Sequence, residues 1–335
     1  MSNQPPIEVP QGAIRLNTDS QKLEFFAQDR WYEMATNTPN LDGGGRGLAA
    51  GGNVPGQTNI IEFITISTQG DSTDFGDLTA PRQAIPGGTG SSTRGVIGGG
   101  QEFPASVNKI DFITFSSTGN ASDYGDLTVA RNQPAATGNQ TRGIFAGGEA
   151  PTAVNKIDYI TIAQTGNAVD FGDLNVARRI GGAASSPTRS LIVAGYASPG
   201  ALNSIEFVTT STLGNAQDFG DISVARYSAG TVSSSTRAVI MGGQIASSPY
   251  YYDIIEYVTI ATRGNSTNFG DLTEVVSFAQ NVSDSIRGVR MGGITPLDTS
   301  CDYINISTEG DATFFGDLLS THKEGAGLSN AHGGL

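Results

Sequence analysis

The sequence predicts an all-β protein built from repeated four-stranded units, and three observations support this prediction. Glycine makes up 45 of the 335 residues without a collagen period, which indicates many turns. Within the repeats, short runs rich in β-branched and aromatic residues alternate as strands do, and no helical apolar period is present. Finally, the chain repeats itself six times, at intervals of 46 to 50 residues.

Three sequence elements recur in constant order in all six repeats. The first is an arginine, a short apolar run and a closing glycine, and its arginines are Arg46, Arg94, Arg142, Arg189, Arg237 and Arg287. The second is an acid, an aromatic and a β-branched run, and its acids are Glu62, Asp111, Asp158, Glu206, Glu256 and Asp302. The third reads Phe/Tyr-Gly-Asp-Leu/Ile, and its aspartates are Asp77, Asp126, Asp173, Asp221, Asp271 and Asp317.

Each repeat holds the signals for four strands. The second element predicts a strand, as at residues 110–116, and a Gly-Asn or Gly-Asp pair follows it as a hairpin turn, as at Gly119-Asn120. The third element predicts a shorter strand with a glycine bend, and the segment after a terminal arginine such as Arg131 supplies the fourth strand. Repeated four-stranded units of this length are typical of a β-propeller.

The two ends of the repeated region distinguish a closed ring from an open solenoid. The strand that begins at Arg46 lacks a preceding strand, and residues 323–335 supply an unfinished repeat that matches it. Closure of a ring hides sheet edges, whereas a solenoid needs polar caps. The sequence therefore predicts a six-bladed β-propeller over residues 39–335, closed by the C-terminal strand.

Residues 1–38 have a different pattern. Short alternating runs at 13–16, 22–26 and 31–34 predict a three-stranded meander, which is too small to bury its own face. We expect this segment to be a docking or anchor module, with Phe25, Trp31 and Tyr32 as its anchor residues.

The repeats resemble the Kelch family in the strand that ends in Gly-Gly, the aromatic strands and the terminal arginine. They depart from it at the Trp that Kelch units usually carry, because this chain has Phe or Tyr there and its single tryptophan, Trp31, lies outside the repeats. The N-terminal segment GAIRLNT…LEFFAQDRW resembles modules of bacteriophage tail-fibre and other virion proteins, and the TGNAVDFGDLNVAR type of repeat resembles structural proteins of marine phages. These resemblances imply a Kelch-like propeller located in a virion.

The charge and composition of the chain limit the classes of partner that it is expected to bind. A net charge of −13 disfavours nucleic acid and anionic lipid, and no apolar run is long enough to insert into a membrane. The single cysteine, Cys301, forms no internal disulfide, and the two histidines cannot build a multi-histidine metal site. No cofactor is expected. The expected partners are other virion proteins, a host surface glycan or receptor, and a second copy of the chain.

The repeated charges have a structural and a functional interpretation. The structural one, which we favour, pairs the repeated arginine with the repeated aspartate between neighbouring blades, and the functional one places six arginines around an anion-binding channel. The residues assigned to the structural pairs are Arg94, Arg142, Arg189, Arg237, Arg287, Asp77, Asp126, Asp173, Asp221 and Asp271. The Asp170/Asp173 spacing admits calcium as a less favoured alternative, because Asn268 and Phe314 replace the first acid in two repeats.

Departures from the repeat mark candidate binding residues. The loop in repeat five is the longest and contains Tyr250, Tyr251 and Tyr252, which cannot all face a core. Tyrosines at a surface suit protein contacts or sugar stacking, while packing on a neighbouring blade is the alternative. Repeat five also lacks its terminal arginine and reads Glu-Val-Val-Ser from Glu274.

We therefore expect a non-enzymatic structural protein of a bacteriophage virion, such as a tail fibre, knob or capsid decoration, that displays its propeller for protein contacts or host attachment. A carbohydrate-binding lectin propeller outside a virion is the alternative. A propeller hydrolase is disfavoured because no catalytic constellation stands out from the repeats.

Overall fold

The computed structural model of the chain is an all-β structure. It describes residues 10, 12–17, 22–28, 30–33 and 45–335, except 54, 86, 249 and 296. The chain divides into two compact units, Met1–Asp42 and Gly43–Leu335. The described part contains no helix that is long and apolar enough to cross a membrane.

The first unit is the predicted meander. Its antiparallel strands are β1 (Ile14–Asn17), β2 (Lys22–Ala27) and β3 (Arg30–Glu33), in the order β1-β2-β3.

The second unit is a six-bladed β-propeller, and each blade is a four-stranded antiparallel sheet. From the innermost to the outermost strand, blade 1 contains β31 (Ala326–Ser329), β4 (Arg46–Asn53), β5 (Gln57–Thr65) and β6 (Thr73–Arg82). Blade 2 contains β7 (Gly88–Gly90), β8 (Arg94–Gly98), β11 (Lys109–Thr114) and β12 (Ser122–Asp126). Blade 3 contains β13 (Ala135–Gly138), β14 (Arg142–Ala146), β15 (Lys156–Thr161) and β16 (Val169–Asp173).

Blades 4 to 6 repeat this arrangement. Blade 4 contains β17 (Gly182–Ser185), β18 (Arg189–Val193), β21 (Ser204–Thr209) and β22 (Gln217–Asp221). Blade 5 contains β23 (Gly230–Ser233), β24 (Arg237–Met241), β25 (Ile254–Thr259) and β26 (Thr267–Asp271). Blade 6 contains β27 (Gln280–Ser283), β28 (Arg287–Met291), β29 (Ser300–Asn305) and β30 (Thr313–Asp317). Two short hairpins join the second and third strands of blades 2 and 4, namely β9 (Gln101–Glu102) with β10 (Ala105–Ser106) and β19 (Tyr196–Ala197) with β20 (Gly200–Ala201).

The ring closes through the C-terminal strand, as the sequence predicts. Strand β31 pairs antiparallel with β4, from Ala326 opposite Ala50 to Ser329 opposite Gly47. Blade 1 thus combines one strand from the end of the chain with three from the beginning of the repeats. No innermost position of the ring is left empty.

The core lies between neighbouring sheets. Buried apolar residues form six clusters, each shared by two adjacent blades, such as the cluster with Leu48 and Phe75 of blade 1 and Ile97 of blade 2. The aromatic of each Phe-Gly-Asp motif is the extra residue of a β-bulge in the outermost strand, as Tyr124 is between the partners of Ile110 and Asp111. The bulge turns this ring into the core, where Tyr124 is buried.

The turn of each blade locks onto the outer strand of the preceding one. In blades 1 and 2, the amide of Gly119 donates to the Phe75 carbonyl (2.7 Å), and Asn120 Oδ1 accepts from the amide of Asp77 (3.1 Å). A Cβ at Gly76 would lie 2.5 Å from the Gly119 oxygen, so the close approach requires glycine at position 76, whereas a Cβ at Gly119 would meet nothing within 4 Å. The same contact recurs around the ring and covers the exposed edge of each outermost strand.

Candidate ligand-binding face

The repeated arginines of the first element bridge neighbouring blades, but to a different partner from the predicted one. Arg94 Nη1 donates to the carbonyl of Ile162 in blade 3 (3.0 Å), and its guanidinium carbon lies 4.5 Å from the ring centroid of Phe112. The equivalent arginines of the other blades make the same two contacts: Arg46, Arg142, Arg189, Arg237 and Arg287. The pairing with the aspartates of the third element is therefore wrong, because an aromatic ring and a carbonyl already surround each guanidinium.

Those aspartates lie at the outer rim, where their backbone is the part used by the fold. Five of their backbone amides donate to the side-chain oxygen of the next blade's turn residue, namely those of Asp77, Asp126, Asp173, Asp221 and Asp271. Their side chains are half-buried or exposed. The ammonium of Lys156 lies 3.6 Å from the carboxylates of both Asp170 and Asp173, the pair considered for calcium. Among the described residues, no group of three or more His, Cys, Asp or Glu is arranged to hold a metal ion.

The buried ion pairs join the terminal arginine of one blade to the acid of the next blade's second element. Arg131 Nη1 lies 2.9 Å from Asp158 Oδ2, and both side chains are fully buried. Burial lowers the pKa of Arg131, and the charge of Asp158 opposes this shift. The equivalent pairs are Arg82–Asp111, Arg178–Glu206 and Arg226–Glu256.

Blade 6 keeps this pair although its predecessor lacks the arginine. Val276 occupies the arginine position, and Arg290 reaches Asp302 from strand β28. Arg290 Nη1 donates to the carbonyls of Gly292 and Ser300 (3.2 and 3.0 Å), which are the equivalents of the Ala194 and Ser204 carbonyls bound by Arg178. A guanidinium therefore fills the same pocket from a different strand.

Histidine replaces arginine where the ring closes. His322 Nε2 lies 3.1 Å from Glu62 Oε1, and Ser72 and Ser320 also donate to this carboxylate. Burial acts to raise the pKa of Glu62, but the hydrogen bonds from His322, Ser320 and Ser72 outweigh it and hold this pKa below its usual value.

The innermost strands line an axial cavity of about 90 Å³. Its lining is mostly Gly, Ala, Ser and Thr, and the cavity reaches His332 in the C-terminal segment. His332 Nε2 donates to the Gly90 carbonyl (2.8 Å), while its Nδ1 accepts from the Gly334 amide (3.1 Å). A Cβ at Gly334 would lie 2.0 Å from the Gly138 carbonyl oxygen, so the segment sits tightly against blades 2 and 3. The arginines of the first element are not among the lining residues, so they do not form an anion-binding channel here.

At the other end of the innermost strands, six residues with left-handed backbone form a hydrogen-bonded ring. Their amides and carbonyls link successive blades, as from Gln133 N to Ala84 O (2.7 Å). The last link of the ring uses the amide of Ile85, the residue after Ala84, which donates to Glu324 O (3.0 Å). The six residues are Ala84, Gln133, Ile180, Ser228, Phe278 and Glu324, with φ between 54° and 59°. Burial raises the pKa of Glu324 above its usual value, and Lys323 opposes this shift.

Short three-stranded ladders surround this ring, and we call them the face ladders. Each joins the end of one blade to both limbs of the hairpin between the second and third strands of the next. Their members are Gln83, Gln101 and Ser106; Asn132, Glu149 and Ala153; Arg179, Tyr196 and Ala201; and Tyr227, Gln244 and Tyr251. The second glycine of each Gly-Gly motif permits this approach, since a Cβ at Gly148 would lie 2.8 Å from the Asn132 oxygen. At these positions the blades have the same backbone pairing but different side chains.

Blades 4 and 5 give the face an aromatic patch. The rings of Tyr196 and Tyr227 meet edge to face with centroids 5.5 Å apart. The guanidinium of Arg179 lies 5.2 Å from the Tyr196 centroid. Arg179 Nη1 is also 2.7 Å from Glu149 Oε2 and donates to Gln133 Oε1 (3.3 Å).

The tyrosines of repeat five lie beside this patch. Tyr251 pairs with Gln244, which pairs in turn with Tyr227, so the three residues are neighbours across one ladder. Tyr250 has a left-handed backbone (φ 65°) and a side chain that is 52% exposed, whereas Tyr251 and Tyr252 are half-buried. The sequence interpretation missed Arg179, Tyr196 and Tyr227. For Arg179 and Tyr227, the available signal was that the residue after each terminal arginine changes from repeat to repeat while the motif before it recurs.

Two of the predicted anchor residues lie half-buried in the meander. The Trp31 ring packs edge to face on Phe26 (5.3 Å) and under the guanidinium of Arg15 (4.1 Å), and the Tyr32 hydroxyl donates to Gln28 Oε1 (3.1 Å). The side chain of Phe25 lies outside the described part of the structure. Ile14, on the neighbouring strand, is 64% exposed.

Comparison with known proteins finds no family model that matches the chain and no curated protein that is similar to it in sequence. The structure itself defines the fold class of the chain, which is a six-bladed β-propeller.

Proposed function

We propose that the chain is a non-enzymatic structural protein of a bacteriophage virion, in which a Kelch-like propeller displays a binding face toward the host surface. The observation that supports a binding role is the contrast between two sets of positions. The turns and outer strands that lock the blades together are copied around the ring, whereas the face ladders carry a different side chain set in each blade. A binding surface needs such variety on a fixed backbone.

The meander supports the virion part of this proposal through its sequence and its size. Its sequence resembles modules of tail-fibre and other virion proteins of bacteriophages, and three strands of four to six residues have too little core to be stable alone. We propose that this unit docks the chain on other virion proteins or on a second copy of the chain.

Purified particles of the phage that encodes the chain test this proposal. We expect the full-length chain to co-purify with particles, and Trp31→Ala to reduce its incorporation while leaving the melting temperature of the propeller unchanged. Phe103→Ala, a change at a 76% exposed side chain of the propeller, is the control and should incorporate normally. Particles that lack the chain altogether would refute a virion role.

A lectin that acts outside a virion is the second candidate, and the tyrosines of blades 4 and 5 favour it. The same particle experiment separates the two functions. A chain that binds glycans but is absent from particles is a lectin, whereas a chain found in particles supports the first proposal.

A further inference from the structure

We propose that Arg179, Tyr196, Tyr227, Gln244 and Tyr251, together called the tyrosine patch, form a binding site for a neutral, hexose-rich glycan. This inference rests on the proposed function in one respect, that the face ladders bind a ligand of the host surface. It goes further by locating the site on blades 4 and 5 and by stating the chemistry of the ligand.

The aromatic rings provide the first half of sugar recognition. Tyr196 and Tyr227 are half-buried and hold each other edge to face, so each ring is fixed while part of its surface stays accessible. Hexoses present apolar C–H faces between their hydroxyls, and such faces pack on aromatic rings. A tyrosine hydroxyl at the edge of the same contact adds a donor and an acceptor.

The polar neighbours provide the second half, and their charge indicates a neutral ligand. Arg179 is paired with Glu149 at 2.7 Å, and the two side chains are 30% and 26% exposed. The pair therefore presents donors and acceptors to a ligand without a net charge, which suits sugar hydroxyls. An acidic glycan would have to compete with Glu149 for the guanidinium and approach a chain whose net charge is −13.

The backbone holds the site in place before a ligand arrives. Tyr227 and Gln244 exchange two amide–carbonyl bonds of 2.9 and 2.8 Å, and Arg179 and Tyr196 exchange two of 3.1 and 2.8 Å. A site built on paired strands loses little conformational freedom on binding.

The other described ladders serve as an internal comparison. At the positions of Tyr196 and Tyr227, the ladder that ends in Ser106 has Gln101 and the ladder that ends in Ala153 has Asn132. They have the same backbone and hydrogen-bonding side chains but no aromatic ring. Among these ladder positions, aromatic rings therefore occur in blades 4 and 5, and the exposed Phe103 in the hairpin of blade 2 provides a matched aromatic control.

Binding of the full chain to immobilised polysaccharides tests the proposal. The neutral probes are dextran, mannan and galactan, and the acidic probes are alginate, polysialic acid and heparin. We expect binding to at least one neutral probe and weaker binding to every acidic one. Preference for an acidic probe, or binding to none of the six, would overturn the proposal.

Variants identify the patch as the site. Tyr196→Ala and Tyr227→Ala should each weaken binding roughly tenfold or more, because a central aromatic contact is lost. Tyr227→Phe should keep most of the affinity, which a merely disrupted fold would not. Phe103→Ala, an exposed aromatic on blade 2, should bind like the wild type, and all variants should melt as the wild type does. Unchanged binding by both alanine variants would place the site elsewhere.

The two proposals fail separately. If the chain is part of particles but no polysaccharide binds, the glycan site is wrong and the virion role stands. If neutral glycans bind through the patch but particles lack the chain, the virion role is wrong and the site stands.

Discussion

At the scale of single residues, glycine decides how closely the blades approach. Gly125 and Gly166 have nearly the same backbone, with φ of 146° and 150°. Their surroundings differ, since a Cβ at Gly125 would lie 2.5 Å from the carbonyl oxygen of Gly166, while a Cβ at Gly166 would meet nothing within 4 Å. A comparison of substitutions at the two positions therefore distinguishes the cost of backbone strain from the cost of the steric contact.

Alanine substitutions at these two glycines measure the contact. Both variants pay the strain of an unfavourable backbone, on the order of 1–3 kcal/mol. Gly125→Ala should lose a further 1–3 kcal/mol, roughly, because the blades must shift apart. Denaturant unfolding of both variants gives the comparison. Equal losses would mean that the blades accommodate a methyl group and that φ alone requires glycine.

Single residues also show why some side-chain contacts could be predicted from the sequence and others could not. Sequence periodicity identifies equivalent positions, so the repeated arginines were found and their role between blades was foreseen. It does not reveal which atom of the next blade faces them, because this depends on the angle between sheets. Arg94 therefore meets the Ile162 carbonyl and not an aspartate. The buried acids show their role only once Arg131 is seen beside Asp158.

At the scale of strands, blade 6 shows that the buried acid needs a guanidinium but not from one particular strand. Arg290 of strand β28 pairs with Asp302, whereas in other blades the terminal arginine of the preceding blade forms this pair. Ile240 of strand β24 stands opposite Glu256, as Arg290 stands opposite Asp302, and Arg226 and Val276 occupy equivalent positions before these blades. Equivalent acceptors are thus bound by a guanidinium that comes from two different elements.

Moving the arginine of blade 5 in the same way tests this equivalence. Arg226→Val leaves the buried carboxylate of Glu256 without its cation and should cost about 3–5 kcal/mol. Adding Ile240→Arg should recover at least half of this loss, although Ile240→Arg alone should destabilise by crowding Arg226. A double-mutant cycle in urea gives the coupling. Additive losses in the double variant would show that strand β28 has adapted in further ways to hold Arg290.

At the scale of the whole molecule, the ring depends on its C-terminal end. Strand β31 completes blade 1, and the following residues reach blades 2 and 3 at the end of the axial cavity. The sequence predicted the strand, since its pattern matches an unfinished repeat. The contacts of His332 could not be predicted, because nothing in the other repeats corresponds to a chain end lying across the axis.

Acidification should weaken this closure in a definite pH range. Burial lowers the pKa of His332 below its usual value of 6.5, and the hydrogen bond to Gly90 opposes the shift only in part. The unfolded chain therefore binds a proton more readily than the folded one, so the stabilisation is complete above pH 6.5 and decreases as the pH falls toward the folded-state pKa. Protonation also removes the acceptor that Nδ1 offers to Gly334.

His332→Gln isolates this effect from the carboxyl groups. The wild type should lose up to about 1.4 kcal/mol of unfolding free energy per pH unit below 6.5 relative to the variant, whose residue 332 does not titrate. The raised pKa of Glu324 acts in the opposite direction, since protonation favours the folded state, and the lowered pKa of Glu62 reduces stability only at more acidic pH. Both carboxyls are shared by the two proteins and cancel in the difference. Parallel stability curves for wild type and variant between pH 5 and 7 would show that His332 does not couple the closure of the ring to pH.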